Sequence, residues 1–403
     1  VDINRISYDV INRSTLTPKM LLRFAPGQIS KQESYLDLNY SNIFDLKRMN
    51  VDEKLESDEV SFKFSAVRPY RKKLMPLWFK NLDPDHQSGN LPIALNSPLI
   101  HDGYIFIGKN DGHMKAYDGQ TGRLIWNKFD KGDYHAAPVA FGKNIIYGTG
   151  EGRVYARNYK TGKIKYAVDL DASVESKPVI YKGKLYVHLR NHKLFCLDAK
   201  TGKIIWAYKR SVPYLTTLQR VSTPLVKRNK VYVGFADGYI VSFSAEDGVL
   251  LWERKIASGG KFVDVDVTPV IRGKTLFVNS LSNQLSLLDS ATGALQRKMP
   301  YTPSRAPLFT KDGIILGTTN GEIVSLNRHY QEIKKIKLAD GPISSIVPWK
   351  NYYIITSASQ LLKVVHRRSL RVMETFNLGH ASSAVFGQVT SKEGWVWFRK
   401  RPR

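Results

Sequence analysis

A repeat of about 40 residues constrains this chain more than any other feature of it. Thr-Gly or a variant recurs at Thr121-Gly122, Thr161-Gly162, Thr201-Gly202, Asp247-Gly248 and Thr292-Gly293. Four residues beyond these glycines stand Trp126, Tyr166, Trp206, Trp252 and then Arg297. An upstream proline keeps the same period, at Pro98, Pro138, Pro178, Pro224, Pro269, Pro307 and Pro342. Two independent markers in phase leave little room for chance, and a period of this length marks stacked supersecondary units.

The interior of each repeat reads as strands. In residues 97–128, Pro98 to Ile100 is a short apolar run and His101-Asp102-Gly103 a turn. Tyr104 to Gly108 is rich in β-formers, Asn110-Asp111-Gly112 is a hairpin signal, and His113 to Asp118 alternates. Gln120-Thr121-Gly122 turns again before Leu124 to Asn127. Four strands per repeat, head to tail and without helical periodicity, predict the blades of an all-β propeller. With 42% apolar and 11% aromatic residues in 403, the chain has enough material for a large core.

This pattern resembles the pyrroloquinoline-quinone (PQQ)-type repeat β-propeller family, most closely in residues 97–126, 177–206 and 223–252. The resemblance spans roughly 77–403. It implies that the aromatic residue of each outer strand packs toward a neighbouring blade, which gives Trp126, Tyr166, Trp206 and Trp252 and the glycines Gly122, Gly162, Gly202, Gly248 and Gly293 structural roles. Blade starts fall near 97, 137, 177, 223, 268, 306 and 342. Leu77-Trp78-Phe79-Lys80-Asn81 looks like an orphan outer strand with its own Trp78, and 384–398 holds strand material without an outer strand. Joined, they predict an eight-bladed β-propeller of four-stranded blades over 77–403, with 77–81 closing the last blade. Residues 1–76 carry no Trp and no repeat marker and read as an N-terminal extended arm or tether.

Quinoprotein dehydrogenases share this repeat; they stack their cofactor on a Trp platform, bind calcium and commonly carry adjacent cysteines. Here Cys196 is the single cysteine, which excludes a cysteine pair, an intrachain disulfide and a thiolate metal cluster. It reads as a small buried strand residue. Gly148, Gly150 and Gly152 sit between two strands and read as a hairpin, not a phosphate loop. His188 and His192 flank a strand–turn–strand and read as solvent-facing. No enzyme, cofactor or metal site is therefore expected.

Within the PQQ-type repeats, the chain is most similar to the BamB-like outer-membrane protein assembly factors. The connections Leu218-Gln219-Arg220-Val221-Ser222-Thr223-Pro224 and Val263-Asp264-Val265-Asp266-Val267-Thr268-Pro269 carry that likeness. It implies a scaffold subunit of the outer-membrane β-barrel assembly machinery, monomeric within a larger complex and docking on BamA-like POTRA domains. The implied partner-binding residues are Leu218, Arg220, Asp264 and Asp266. For Asp266 a turn-capping role competes with that reading. The implied location is the periplasm, at the outer membrane, as a lipoprotein. The sequence opens Val1-Asp2-Ile3-Asn4, without Met, and leads to the expectation that the anchor lies upstream.

The formal net charge is +26. A surface this basic attracts polyanions, so an anionic lipid or envelope polymer is the second partner class expected. Nucleic acid is set aside, because no recognition motif accompanies the charge.

Overall fold

In the computed structural model, the described residues are 75–76, 78, 97–109, 111–212, 221–257, 263–280, 283–359, 361–377 and 398–399. The chain divides into two units, Val1–Arg71 and Lys72–Arg403. All described residues belong to the second, so the arm expected over 1–76 lies outside them apart from Met75 and Pro76.

Seven four-stranded antiparallel sheets follow one another along the chain, each with its strands in sequence order. They span 99–129, 139–169, 179–209, 225–255, 270–299, 308–337 and 343–377, here called blades 1 to 7. The expected starts are met. The eighth blade is not: the described residues form seven four-stranded sheets and no eighth. Of the segments 77–81 and 384–398 expected to build it, only Trp78 and Phe398 are described. A two-stranded sheet instead pairs Met75 with Arg399 and Pro76 with Phe398. The physical reason is that a Trp marker reports a packing contact, not a sheet behind it. Trp78 makes that contact, its Nε1 donating to Gly119 O at 3.1 Å.

Blade 3 shows how the sequence builds a unit. Its strands are Val179–Tyr181, Lys184–His188, Lys193–Asp198 and Ile204–Lys209. The second and third are almost wholly buried, while the outer strand alternates between exposed and half-buried. A strand covered on both faces must be apolar on both; hence Leu185-Tyr186-Val187 and Leu194-Phe195-Cys196-Leu197. Cys196 is fully buried, as expected. The cores lie between blades: Tyr186, Leu194 and Cys196 of blade 3 pack with Val231, Val233, Val241 and Phe243 of blade 4. Each such side chain contributes about 1.5–3 kcal/mol by leaving water.

The Thr-Gly turn and the aromatic residue form one latch. Asp198 Oδ1 accepts from the Thr201 N–H at 2.7 Å and from Thr201 Oγ1 at 2.7 Å, closing the turn, and Gly202 ends it at φ +79°. Against that glycine lies Tyr166 of the preceding blade; a Cβ there would stand 2.6 Å from Tyr166 Cδ2. Trp126 meets Gly162, Trp206 meets Gly248, Trp252 meets Gly293 and Trp78 meets Gly122 in the same way. In blade 6 the turn residue with positive φ is Tyr330 (φ +64°) in place of glycine. Blade 5 correspondingly presents Arg297 where an aromatic ring would need that glycine. The expected packing of each aromatic toward a neighbouring blade is therefore observed.

Candidate partner-docking face

Each blade is a meander, so its turns alternate between its two ends. The turns between first and second and between third and fourth strands share one end, the hairpin end. The middle turn and the connections to the next blade share the other, the connector end. Both predicted partner loops are connections.

The connection into blade 5 is fastened by Val265. Its N–H donates to Phe235 O at 3.0 Å and its side chain is fully buried. Gly234 makes room, since a Cβ there would lie 2.2 Å from Val265 O. The Asp-Val-Asp motif is thus a buried wedge with an aspartate on either side. Asp264 is only 4% exposed, and Asp266 is half-buried. The connection into blade 4 is fastened by Ser222, whose Oγ donates to Gly234 O at 3.0 Å and accepts from the Gly234 N–H at 2.8 Å. The connections before and after blade 4 therefore converge on Gly234–Phe235, the end of one strand. Leu218 and Arg220 precede that clamp and lie outside the described residues.

Around this point stands a polar cluster that sequence reasoning missed. Arg210 Nε donates to Asp237 Oδ2 at 2.6 Å and its Nη1 to Glu253 Oε2 at 2.8 Å. The guanidinium lies 4.5 Å from the Tyr239 ring centre and 5.4 Å from that of Phe235. Burial opposes the charge of Arg210, but the bonds to Glu253 and Asp237 outweigh it and hold the group charged. No motif announces this site, because Arg210, Asp237 and Glu253 come from two blades at irregular spacing.

The two histidines correct an expectation. Neither faces solvent: His188 is fully buried and His192 only 3% exposed. The end of the second strand, which looks like a hairpin tip in sequence, lies beneath the connection that follows the blade. At the matching position other blades use Gly108, Gly148 and Gly234, each tightly covered. His188 stands edge-on to Phe235, ring centres 5.0 Å apart. Its Nδ1 lies 3.0 Å from Ser222 O, to which only a protonated Nδ1 can donate. Burial pushes the imidazole down to about 3, against the pull of that carbonyl, so His188 is neutral. Burial also lowers His192, with Asp237 and Asp264 pulling the other way.

Gly148, Gly150 and Gly152 lie in and beside the hairpin between Asn144–Gly148 and Arg153–Asn158, as the sequence reading had them. Burial pushes the Cys196 thiol up to about 11, which leaves it protonated. Among the described residues, no three His, Cys, Asp or Glu side chains stand together as metal ligands would.

Repeated four-stranded sheets with the Thr-Gly and aromatic latch define a β-propeller of the PQQ-like repeat class. A family model described as outer membrane protein assembly factor BamB matches residues 110–337. The chain belongs to that family. The curated BamB of Shewanella oneidensis is 23% identical over 313 residues, covering 72% of this chain and 78% of the relative. That of Yersinia pestis is 26% identical over 239 residues, covering 55% of this chain and 61% of the relative's length. Among solved structures, BamB from Moraxella catarrhalis superposes with a TM-score of 0.63 at 21% identity, covering 74% of this chain and 91% of that one. A europium-containing methanol dehydrogenase superposes at 0.60 with 11% identity, covering 73% of this chain and 79% of that one, a likeness of fold alone.

Proposed function

We propose that this chain is a non-catalytic scaffold subunit of the outer-membrane β-barrel assembly machinery, docking through its connector end on POTRA domains of a BamA-like protein. The relatives are named as outer membrane protein assembly factors. The observation that carries the docking site is the convergence of two connections on Gly234–Phe235. On this reading the loops holding Leu218–Arg220 and Asp264–Asp266 lie side by side and act together. A protein interface concentrates its energy in a few such residues. Arg220 offers a fork for a partner carboxylate, and Asp266 an acceptor for a partner cation or N–H. Asp264 is more deeply buried than Asp266. On this reading the protein works in the periplasm at the outer membrane as a lipid-anchored subunit and turns over no substrate.

The test is capture by a purified POTRA-domain fragment. The triple variant Leu218→Ala, Arg220→Ala, Asp266→Ala should bind on the order of 2–4 kcal/mol more weakly, with its thermal unfolding unchanged. Undiminished capture would sink the assignment. Asp264→Asn should act on stability rather than on capture.

A further inference from the structure

The two ends of the blades use charge differently. Among the described residues, every ion pair leaves the turns of the hairpin end untouched. Arg210–Asp237, Arg190–Glu175, Lys193–Asp171 and Lys131–Glu151, for example, join residues of the connector end. At the hairpin end, each first turn from blade 2 to blade 7 carries an exposed base: Lys143, Lys182, Arg228, Lys274, Lys311 and Lys350. Of these turns only that of blade 6 carries an acid, Asp312, with Asp102 in the first turn of blade 1; the third-turn Asp289 is near enough to Lys274 to feel its charge. Neighbouring bases are held by main-chain carbonyls, which orient a cation without neutralising it. Arg228 Nη1 donates to Gly273 O at 3.0 Å and Arg272 Nη1 to Gly313 O at 2.9 Å. The aspartates of the third turns, such as Asp118 and Asp198, are engaged in capping Thr121 and Thr201.

Backbone conformation sharpens the point. Lys182 (φ +49°), Arg228 (φ +52°) and Lys350 (φ +49°) occupy the left-handed region. Sterics there favour Gly, Asn or Asp over long side chains. The turns would close more easily without these bases, so their presence points to a use for the charge.

A second ring surrounds the first. The first or second residue of every outer strand, just beyond the third turn, is an exposed aliphatic. Leu124 is 47% exposed, Ile164 53%, Ile204 45%, Leu250 42% and Ile333 62%. Bases inside and aliphatics around them, on one end of the molecule, match the chemistry of a membrane interface.

We propose that the hairpin end docks on a lipid leaflet bearing anionic phosphate headgroups. The first-turn bases meet the phosphates, and the ring of aliphatics reaches the boundary of the acyl layer. The bases stand singly on separate turns around a ring, an arrangement that mobile headgroups match by lateral rearrangement. An acidic protein would need a matching rigid array and would leave the aliphatics unanswered. The connector end stays free for a protein partner.

The experiment is flotation of the full chain with vesicles of phosphatidylcholine, with and without phosphatidylglycerol, using Lys182→Asn/Arg228→Asn/Lys350→Asn and a connector-end control, Lys131→Asn/Arg190→Asn/Lys193→Asn, of equal net charge. The parent should float with phosphatidylglycerol vesicles only. The hairpin-end variant should bind them on the order of tenfold to hundredfold more weakly, with a melting temperature at or above the parent's, and the control should bind as the parent does. Equal weakening of both variants would reduce the effect to bulk charge and overturn the proposal. So would vesicle binding kept by the hairpin-end variant while its capture of polyglutamate is lost, which would assign the surface to an acidic protein. Should that variant fail to fold, Lys143→Gln/Lys274→Gln/Lys311→Gln decides by the same readings.

Discussion

Trp206 and Gly248 touch through an atom that is not there: a Cβ on Gly248 would stand 2.7 Å from both Cδ2 and Cε3 of the indole. The glycine serves two needs, a left-handed turn at φ +76° and a seat for the ring of the preceding blade. Gly183, at φ +77°, serves only the first, since nothing lies within 4 Å of its Cβ position. Gly183→Ala should therefore cost about 1–2 kcal/mol, the strain alone. Gly248→Ala should cost on the order of 3 kcal/mol or more, because backbone strain and overpacking add. Chemical denaturation of the two variants measures the difference; equal costs would remove the latch as a stabilising device.

Hydrogen bonding at the latch switches donor along the chain. Trp126 Nε1 donates to Tyr159 O at 2.9 Å, and Tyr166 OH to Ala199 O at 3.1 Å. In the next two blade junctions the matching carbonyls, Ala245 O and Ser290 O, receive Tyr186 OH at 2.7 Å and Tyr232 OH at 2.9 Å. Trp206 Nε1 and Trp252 Nε1 have no hydrogen-bond partner. Tyr186→Phe should thus be nearly neutral, freeing Ala245 O for the waiting indole. Tyr166→Phe should cost about 1 kcal/mol, since it strips a buried carbonyl of its donor. Comparing denaturant midpoints checks this.

Asp130 and Arg157 form a buried ion pair between blades 1 and 2. Tyr134 OH and Tyr147 OH each donate to Asp130 Oδ2 at 2.8 Å, and Arg157 Nη1 donates to Gly162 O at 2.8 Å. Burial, reinforced by Asp130, raises the Tyr147 hydroxyl well above its ordinary range, so it remains a donor. Asp130→Ala should destabilise by about 3–5 kcal/mol through the stranded guanidinium. Asp130→Leu/Arg157→Met should cost less than that single change. A larger loss for the double variant would count against a charge-based origin.

Acid should weaken the fold through His188. Its native value near 3 lies below the ordinary 6.5, so the unfolded chain takes up the proton first. The contribution is complete above about pH 6.5 and is lost as pH falls toward 3. Between pH 7 and 5 it amounts to about 2 kcal/mol. Unfolding of His188→Gln over that interval should show a correspondingly flatter pH dependence, and an unchanged slope would contradict it.

The blade starts were legible because each outer strand carries its aromatic residue four positions after the turn glycine, as Gly122 and Trp126 do, so the two announce each other in sequence. The blade count was not, since Trp78 carries the marker, yet the described residues form seven four-stranded sheets and no eighth. His188 and His192 were misplaced because strand–turn–strand grammar is silent about what covers the turn. The basic ring escaped notice for a related reason. Lys143, Lys182, Arg228 and Lys274 lie some 40 residues apart, so no linear cluster gathers them. Only the period of the fold brings isolated charges together.

The latch also has a direction. The aromatic residue always comes first, and the glycine that seats it follows 36 to 44 residues later, as from Trp126 to Gly162 or Trp78 to Gly122. Because chains are made from the N-terminus, each finished blade presents an uncovered ring until the next turn has been synthesised. The growing protein thus carries one sticky aromatic edge forward, blade after blade. A pause in synthesis just after Trp126, Trp206 or Trp252 would prolong that exposure most, which makes these the points where a nascent chain most needs shelter from its neighbours.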